Sequence, residues 1–159
     1  MEKINLSLKQ NEEIKLPSNI EAEQSIIGSV LVNNDIIDEI SYLINYEKFH
    51  DPVHKRIYEV VENLNNKGLI ANPITLKNYF ESNNAIAQIG GVDYLVKLTR
   101  FSSSTRQTID YAKIIHELFV KRELITISEN MSEDSKNIEN DKSGENIIEE
   151  SEQSLYKLA

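Results

Sequence analysis

An all-α fold is what this sequence predicts, and three observations predict it. No stretch of the 159 residues keeps a period-two alternation of apolar and polar side chains, whereas apolar residues recur three and four positions apart in one segment after another. Two segments open on Asp51-Pro52 and Asn72-Pro73, a capping side chain followed by the residue whose fixed φ suits a first helical position. Gly68 and the pair Gly90–Gly91 then punctuate the periodic runs as helix stops and turns.

Residues 1–16 read as a disordered leader, because a polar terminal segment has little apolar surface to bury. In "LPSNIEAEQSIIGSVLVNN", Ser18 and Glu21 have capping-box spacing. Ala22, Ile26, Ile27, Val30 and Leu31 then repeat at helical spacing until Asn33 and Asn34. "DIIDEISYLIN" gives a second short helix on Ile36, Ile37, Ile40, Leu43 and Ile44. The third runs from Pro52 towards Gly68, with Val53, Ile57, Val60, Val61 and Leu64 on its buried side. The fourth starts at Pro73, and "GVDYLVKLT" is the fifth, with Tyr94, Leu95 and Leu98 on one side. The glycine pair ahead of it supplies positive φ and room for close backbone approach.

The longest run spans Ser104 to Asn130, about 40 Å at 1.5 Å per residue. Tyr111, Ile115, Leu118 and Ile125 form one stripe, and Ile114, Val120, Leu124 and Ile127 carry apolarity around the helix. A stripe this wide implies burial on two sides. A polar loop is expected from Ser132 to Asn146, then a last helix with the narrow seam Ile147, Ser151, Leu155 and Leu158. The resulting organisation is a leader (1–16), a globular helical subdomain (17–103) and a projecting two-helix hairpin (104–159). A lone hairpin leaves apolar surface wet, so it is expected to mediate dimerisation. Tyr111, Ile115, Leu118, Ile125, Ile147, Leu155 and Leu158 are the candidates for its packing and pairing.

Composition removes several function classes. There is no cysteine, hence no disulfide or thiolate metal site, and no apolar run approaches the roughly 20 residues that span a bilayer. The first residues are polar and include acids, unlike a targeting peptide, so a cytoplasmic location is expected. Between Glu129 and Glu152 nine acids face two bases, which accounts for −7 of the net −9. Without a basic stripe, direct binding to nucleic acid is disfavoured.

The motifs of catalysis are missing as well. No glycine is followed by lysine, and no buried strand precedes Gly90–Gly91, so neither a Walker-type nor a dinucleotide phosphate loop is present. His50 and His54 are four apart, but Pro52 starts a helix between them, so their imidazoles do not share a face, and His116 is remote in sequence. His54 reads as a partly buried helix residue. The acids fall on what read as wet helix faces, and neither a nucleophile elbow nor a His-Glu-x-x-His pair occurs. No catalytic, cofactor-binding or metal residue is assigned; physics alone gives an interaction and assembly module.

In order, "LPSNIEAEQSIIGSVLVNN", "FHDPVHKRIYEVVENLNNKG", "ITLKNYF", "IGGVDYLVKL", "TIDYAKIIHELFVKRELI" and "SEQSLYKLA" resemble the N-terminal domain of the bacterial replicative DNA helicase, the DnaB family, from Leu16 to Ala159. The signs are Ala22-Glu23-Gln24 with Gly28, His54 ahead of Ile57-Tyr58, Thr75-Leu76, Gly90-Gly91 with Tyr94-Leu95, Tyr111-Ala112, and Arg122. Asn72 departs from the aspartate many members place there, and both residues cap.

The resemblance implies a RecA-like motor, absent from these 159 residues, that uses ATP and Mg2+ and unwinds the fork 5′ to 3′ as a hexameric ring. It implies that the N-terminal domains pair through their hairpins into a trimer of dimers, that primase docks on this collar, and that helicase loaders act on it. Single-stranded DNA is then met only through the full hexamer, and no membrane is involved. The alternative is a free-standing helical adaptor or loader-like protein without a motor, which a Gly-x-x-x-x-Gly-Lys-Ser/Thr beyond Ala159 in the gene would exclude.

Overall fold

The computed structural model describes residues 15–139 and 141–159, and among these it contains α-helices, two single 3₁₀ turns and no strand. Most of the leader expected over 1–16 lies outside the described residues; Lys15 and Leu16 are non-helical. The helices are α1 (Ile20–Val32), α2 (Ile36–Ile40), α3 (Pro52–Asn66), α4 (Pro73–Ser82), α5 (Gly91–Thr99), α6 (Thr105–Lys136) and α7 (Gly144–Leu158).

Local chemistry sets most of these boundaries. Asp51 accepts from the amides of Val53 and His54, and Asn72 with Thr75 forms a reciprocal capping box. The cap of α1 is Asn19, whose side chain accepts from the Ala22 amide, and not the expected Ser18. The Asn19 carboxamide sits three residues before Ala22, the usual reach of a cap, whereas a Ser18 cap would have taken the Glu21 amide. Helix α2 stops at Ile40, so Leu43 and Ile44 pack from the turn that follows it. The glycine pair does take positive φ, +91° at Gly90 and +77° at Gly91.

The close backbone approach expected at that pair occurs instead at Gly28, in the middle of α1. A Cβ there would stand 2.0 Å from the Leu98 carbonyl oxygen. Only glycine lets α1 and α5 cross this closely. Around the crossing, Ile26, Ile27, Val30, Ile57, Val60, Val61, Leu76, Phe80, Leu95 and Leu98 are fully buried, so α1 is the axis on which the other helices close.

The polar stretch after Asn130 is mostly helix. α6 runs on to Lys136 and Ser143 caps α7, so the connection is 137–143 rather than 132–146. A helix reaching into water is polar on most of its surface, so polarity alone does not mark a loop. At 1.5 Å per residue the 32 residues of α6 span about 48 Å. Its first half belongs to the globule: Thr108, Ala112, Ile115 and Arg122 are buried. α6 is therefore shared between the two parts whose border was placed before residue 104.

Candidate interaction surface on the helical hairpin

Two polar pins hold the root of the hairpin. At the start of α6, the Ser103 amide donates to Ser29 Oγ (2.9 Å), and that hydroxyl donates to the Ser25 carbonyl (2.7 Å). About five turns on, Arg122 donates from Nη1 to the Pro17 carbonyl and from Nη2 to that of Lys48, both at 2.8 Å. One guanidinium thus ties α6 to the entry of α1 and to the 3₁₀ turn Tyr46–Lys48. Burial pushes its pKa down, the expected effect of removing a cation from water.

Lys48 is the other half of this joint. Its ammonium donates to the Leu43 carbonyl (2.8 Å) and to His116 Nδ1 (3.0 Å); an ammonium has no lone pair, so the imidazole nitrogen accepts. Burial lowers the Lys48 pKa too. The Phe119 ring centroid lies 5.8 Å from the same nitrogen.

Beyond the root, α7 folds back along α6. Ile147 is the one buried residue of α7, and Ser154 and Leu158 line a cleft with Val120 and Ile127. Near the tip Lys142 pairs with Asp134 (3.1 Å) and Glu150 (2.9 Å), which raises its pKa and bridges the two helices.

The hairpin leaves an apolar seam in water. Leu124 and Met131 on α6 are 42% and 40% exposed; Ile148 and Leu155 on α7 are 57% and 44% exposed. Each pair is seven residues apart, hence on one side of its helix, the spacing by which helices pack on other helices. The seven candidates divide differently. Ile115 is in the globule's core, Tyr111 packs against that core, and Ile147 is buried beneath α7. Leu118, Ile125 and Leu158 are half-buried, and Leu155 alone is exposed. Leu124, Met131 and Ile148 were not singled out for pairing, although their seven-residue spacing was readable.

One constellation inside the globule escaped the sequence. Glu23 does not lie on a wet face: its side chain is fully buried. It accepts from the amides of His50 (2.9 Å) and Asp51 (3.1 Å) and from His54 Nδ1 (3.0 Å). His54 is fully buried rather than partly so, and its Nε2 meets the Tyr94 hydroxyl, which also takes a hydrogen bond from Gln24. Carboxylate, imidazole and phenol join α1, α3 and α5. Burial raises the Tyr94 pKa. Among the described residues no group of three His, Asp or Glu side chains is placed to hold a metal, and no helix is long and apolar enough to cross a membrane.

Comparison with known proteins gives a consistent picture. Residues 15–117 match the family described as the DnaB-like helicase N terminal domain. The chain is 39% identical over 144 residues to the replicative DNA helicase DnaB of Rickettsia felis, and 40% identical over 144 residues to that of Rickettsia typhi. In both cases the match covers 91% of this chain and 29% of the relative. Among solved structures, the N-terminal domain of DnaB helicase from Mycobacterium tuberculosis superposes with a TM-score of 0.83 at 21% identity, covering 90% of this chain and 99% of that one. A DnaB-like replicative helicase, described with its interactions with primase, superposes with a TM-score of 0.72 at 25% identity, covering 89% of this chain and 32% of that one.

Proposed function

Because this chain belongs to the DnaB-like helicase N-terminal domain family, we propose that it is the assembly and docking part of a replicative DNA helicase. In this reading the motor lies in the part of the relatives that these residues do not span, and ATP and Mg2+ act there. Copies of the chain pair through the hairpin, and the pairs build the trimer-of-dimers collar of a cytoplasmic hexamer. Primase docks on the collar, loaders act on it, and single-stranded DNA is reached through the assembled ring alone. The relatives' identity as replicative helicases favours this over a free-standing adaptor.

The observation that carries the pairing is the exposed seam of Leu124, Met131, Ile148 and Leu155, apolar and heptad-spaced on both helices. Leu118 and Ile125, half-buried on α6 and seven residues apart, lie about 100° around that helix from Leu124 and widen its apolar surface. Sedimentation velocity on the chain and on Leu124→Asp is the direct test. A buried, unpaired carboxylate costs several kcal/mol, enough to abolish a modest dimer. Equal association of the two proteins would remove the seam from the interface. Calorimetry with the C-terminal region of the cognate primase tests docking, and the absence of heat and of complex would count against it. The segment alone is expected neither to hydrolyse ATP nor to unwind DNA.

A further inference from the structure

The fold sets Lys48 beside a base that is remote in sequence. The Lys48 ammonium has three hydrogens, and two of them have acceptors: the Leu43 carbonyl at 2.8 Å and His116 Nδ1 at 3.0 Å. Among the described residues Lys48 forms no ion pair, whereas Lys121 and Lys142 do. Lys48 and His116 both line the cleft between α6, α7 and the turn Tyr46–Lys48, and both are half-buried. The cleft holds about 470 Å³, within the range of small-molecule sites. Phe119, Val120 and Leu158 give it an apolar wall, Lys157 adds a second cation, and Glu123 is its one acid.

Neutral Lys48 is a nucleophile held in place. Loss of one proton leaves two N–H bonds for the two acceptors and gives the lone pair the remaining position on nitrogen. Burial favours that form, since it pushes the pKa of the ammonium down. The other charged or titratable groups around the amine are His116 and Glu123 from α6, Lys157 from α7 and Glu47 beside it on the turn. Arg122 is turned to the Lys48 carbonyl and not to its amine.

We infer that Lys48 is an acylation site, its amine taking an acyl group from an acyl phosphate with His116 as the base. The amine nitrogen attacks the acyl carbon and forms the C–N bond. The C–O bond to phosphate breaks, and phosphate leaves with the electron pair. The proton shed by nitrogen passes to His116 Nδ1, which already accepts from it, and from there to water. The leaving phosphate has the Lys157 ammonium on the same cleft, and the acyl chain has the wall of Phe119, Val120 and Leu158. The product amide is neutral and keeps a single N–H. One of the two contacts by which Lys48 fastens His116 to the turn after α2 must then be released.

Acetyl phosphate is the probe, and mass spectrometry of the 159-residue chain at early times reads each lysine separately. A positioned base contributes at least about a hundredfold, and half-burial of the amine takes back part, so the net lead is on the order of tenfold. Lys48 should be acetylated faster by that factor than Lys97 and Lys113, which are exposed and stand in no ion pair among the described residues. The lead should be widest at about pH 7–8 and narrow above about pH 10, where any lysine amine becomes neutral. His116→Gln keeps an acceptor without a comparable base, and His116→Phe removes both. In each, Lys48 should fall to the rate of the exposed lysines while theirs stay unchanged, with circular dichroism checking that the variants fold.

Equal acetylation of Lys48, Lys97 and Lys113 in the unaltered chain overturns the inference, whatever the variants do. A Lys48 rate that both His116 variants leave unchanged overturns it too, because the imidazole then takes no part. So does a lead that persists in urea strong enough to unfold the chain, since it would come from the neighbouring sequence and not from the folded site.

Discussion

Replacing Glu23 with alanine should be among the most damaging single changes in the globule. The carboxylate is fully buried and satisfies three donors, the amides of His50 and Asp51 and the Nδ1–H of His54. A buried donor left without a partner costs about 1–3 kcal/mol. The two amides belong to half-buried residues that water can partly reach, so they fall at the low end, and His54 falls at the high end. The truncation also leaves a void, while removal of a desolvated anion gives something back. Together these give a loss of about 3–5 kcal/mol, large against the roughly 5–15 kcal/mol that holds a domain folded.

The chain has no tryptophan and its described elements are all helical, so far-ultraviolet circular dichroism is the signal to follow in urea. With a slope of about 2 kcal/mol per molar, the midpoint should fall by roughly 2 M. Glu23→Gln keeps one acceptor oxygen for two of the donors and should lose about half as much. A midpoint for Glu23→Ala within about 0.3 M of the parent, with unchanged slope, would show that this network is not what joins α1 to α3.

Two further outcomes follow from single contacts. Gly28→Ala puts a Cβ 2.0 Å from the Leu98 carbonyl oxygen, which is backbone and has nowhere to go, so α1 and α5 must separate; thermal melting should show a loss of at least about 2 kcal/mol, and an unchanged melting temperature would refute the crossing. Glu62 has its pKa raised by burial and by the nearby Glu47 and Glu59, against the lowering effect of the Tyr46 amide. The folded state therefore holds this proton more tightly than the unfolded chain, and the group's contribution falls as pH rises from the ordinary carboxyl range through the raised value. Glu62→Gln should be the more stable protein at pH 7, its advantage vanishing towards pH 4 in paired unfolding curves; an advantage that grows in acid would contradict the sign.

The legible parts of this fold are those set by local chemistry. Asp51-Pro52 and Asn72-Pro73 placed two helix starts to the residue, because the cap and the fixed φ act within one turn. The apolar face of α1 was readable from its spacing alone. What failed to read depends on approach from elsewhere in the chain. Gly28 looks like an ordinary helix residue until Leu98 arrives 70 positions later. Glu23 sits in a polar run, and only the turn into α3, which aims the amides of His50 and Asp51 at it, makes burial of its charge tolerable. The candidates for hairpin packing and pairing divide between core and surface for a related reason. Periodicity shows that a helix has apolar faces but not which neighbour takes each one, so Ile115 and Leu124 looked alike although the globule covers the first and leaves the second in water.

The hairpin is held unevenly along its length. From Thr108 to Arg122, α6 is held by buried contacts and by a guanidinium on two carbonyls. Beyond Arg122 the described helices bury only Ile147, and the bridge through Lys142 stands in water, where such pairs contribute little. Local stability must therefore fall from root to tip, since protection follows buried contact. In the pairing proposed above, a second copy would cover this weakly held tip. Hydrogen exchange read along α6 and α7 should then show protection rising with protein concentration from about residue 123 to 150 and staying constant in the root. Protection that rises equally everywhere, or only in the root, would be incompatible with pairing through the outer part of the hairpin.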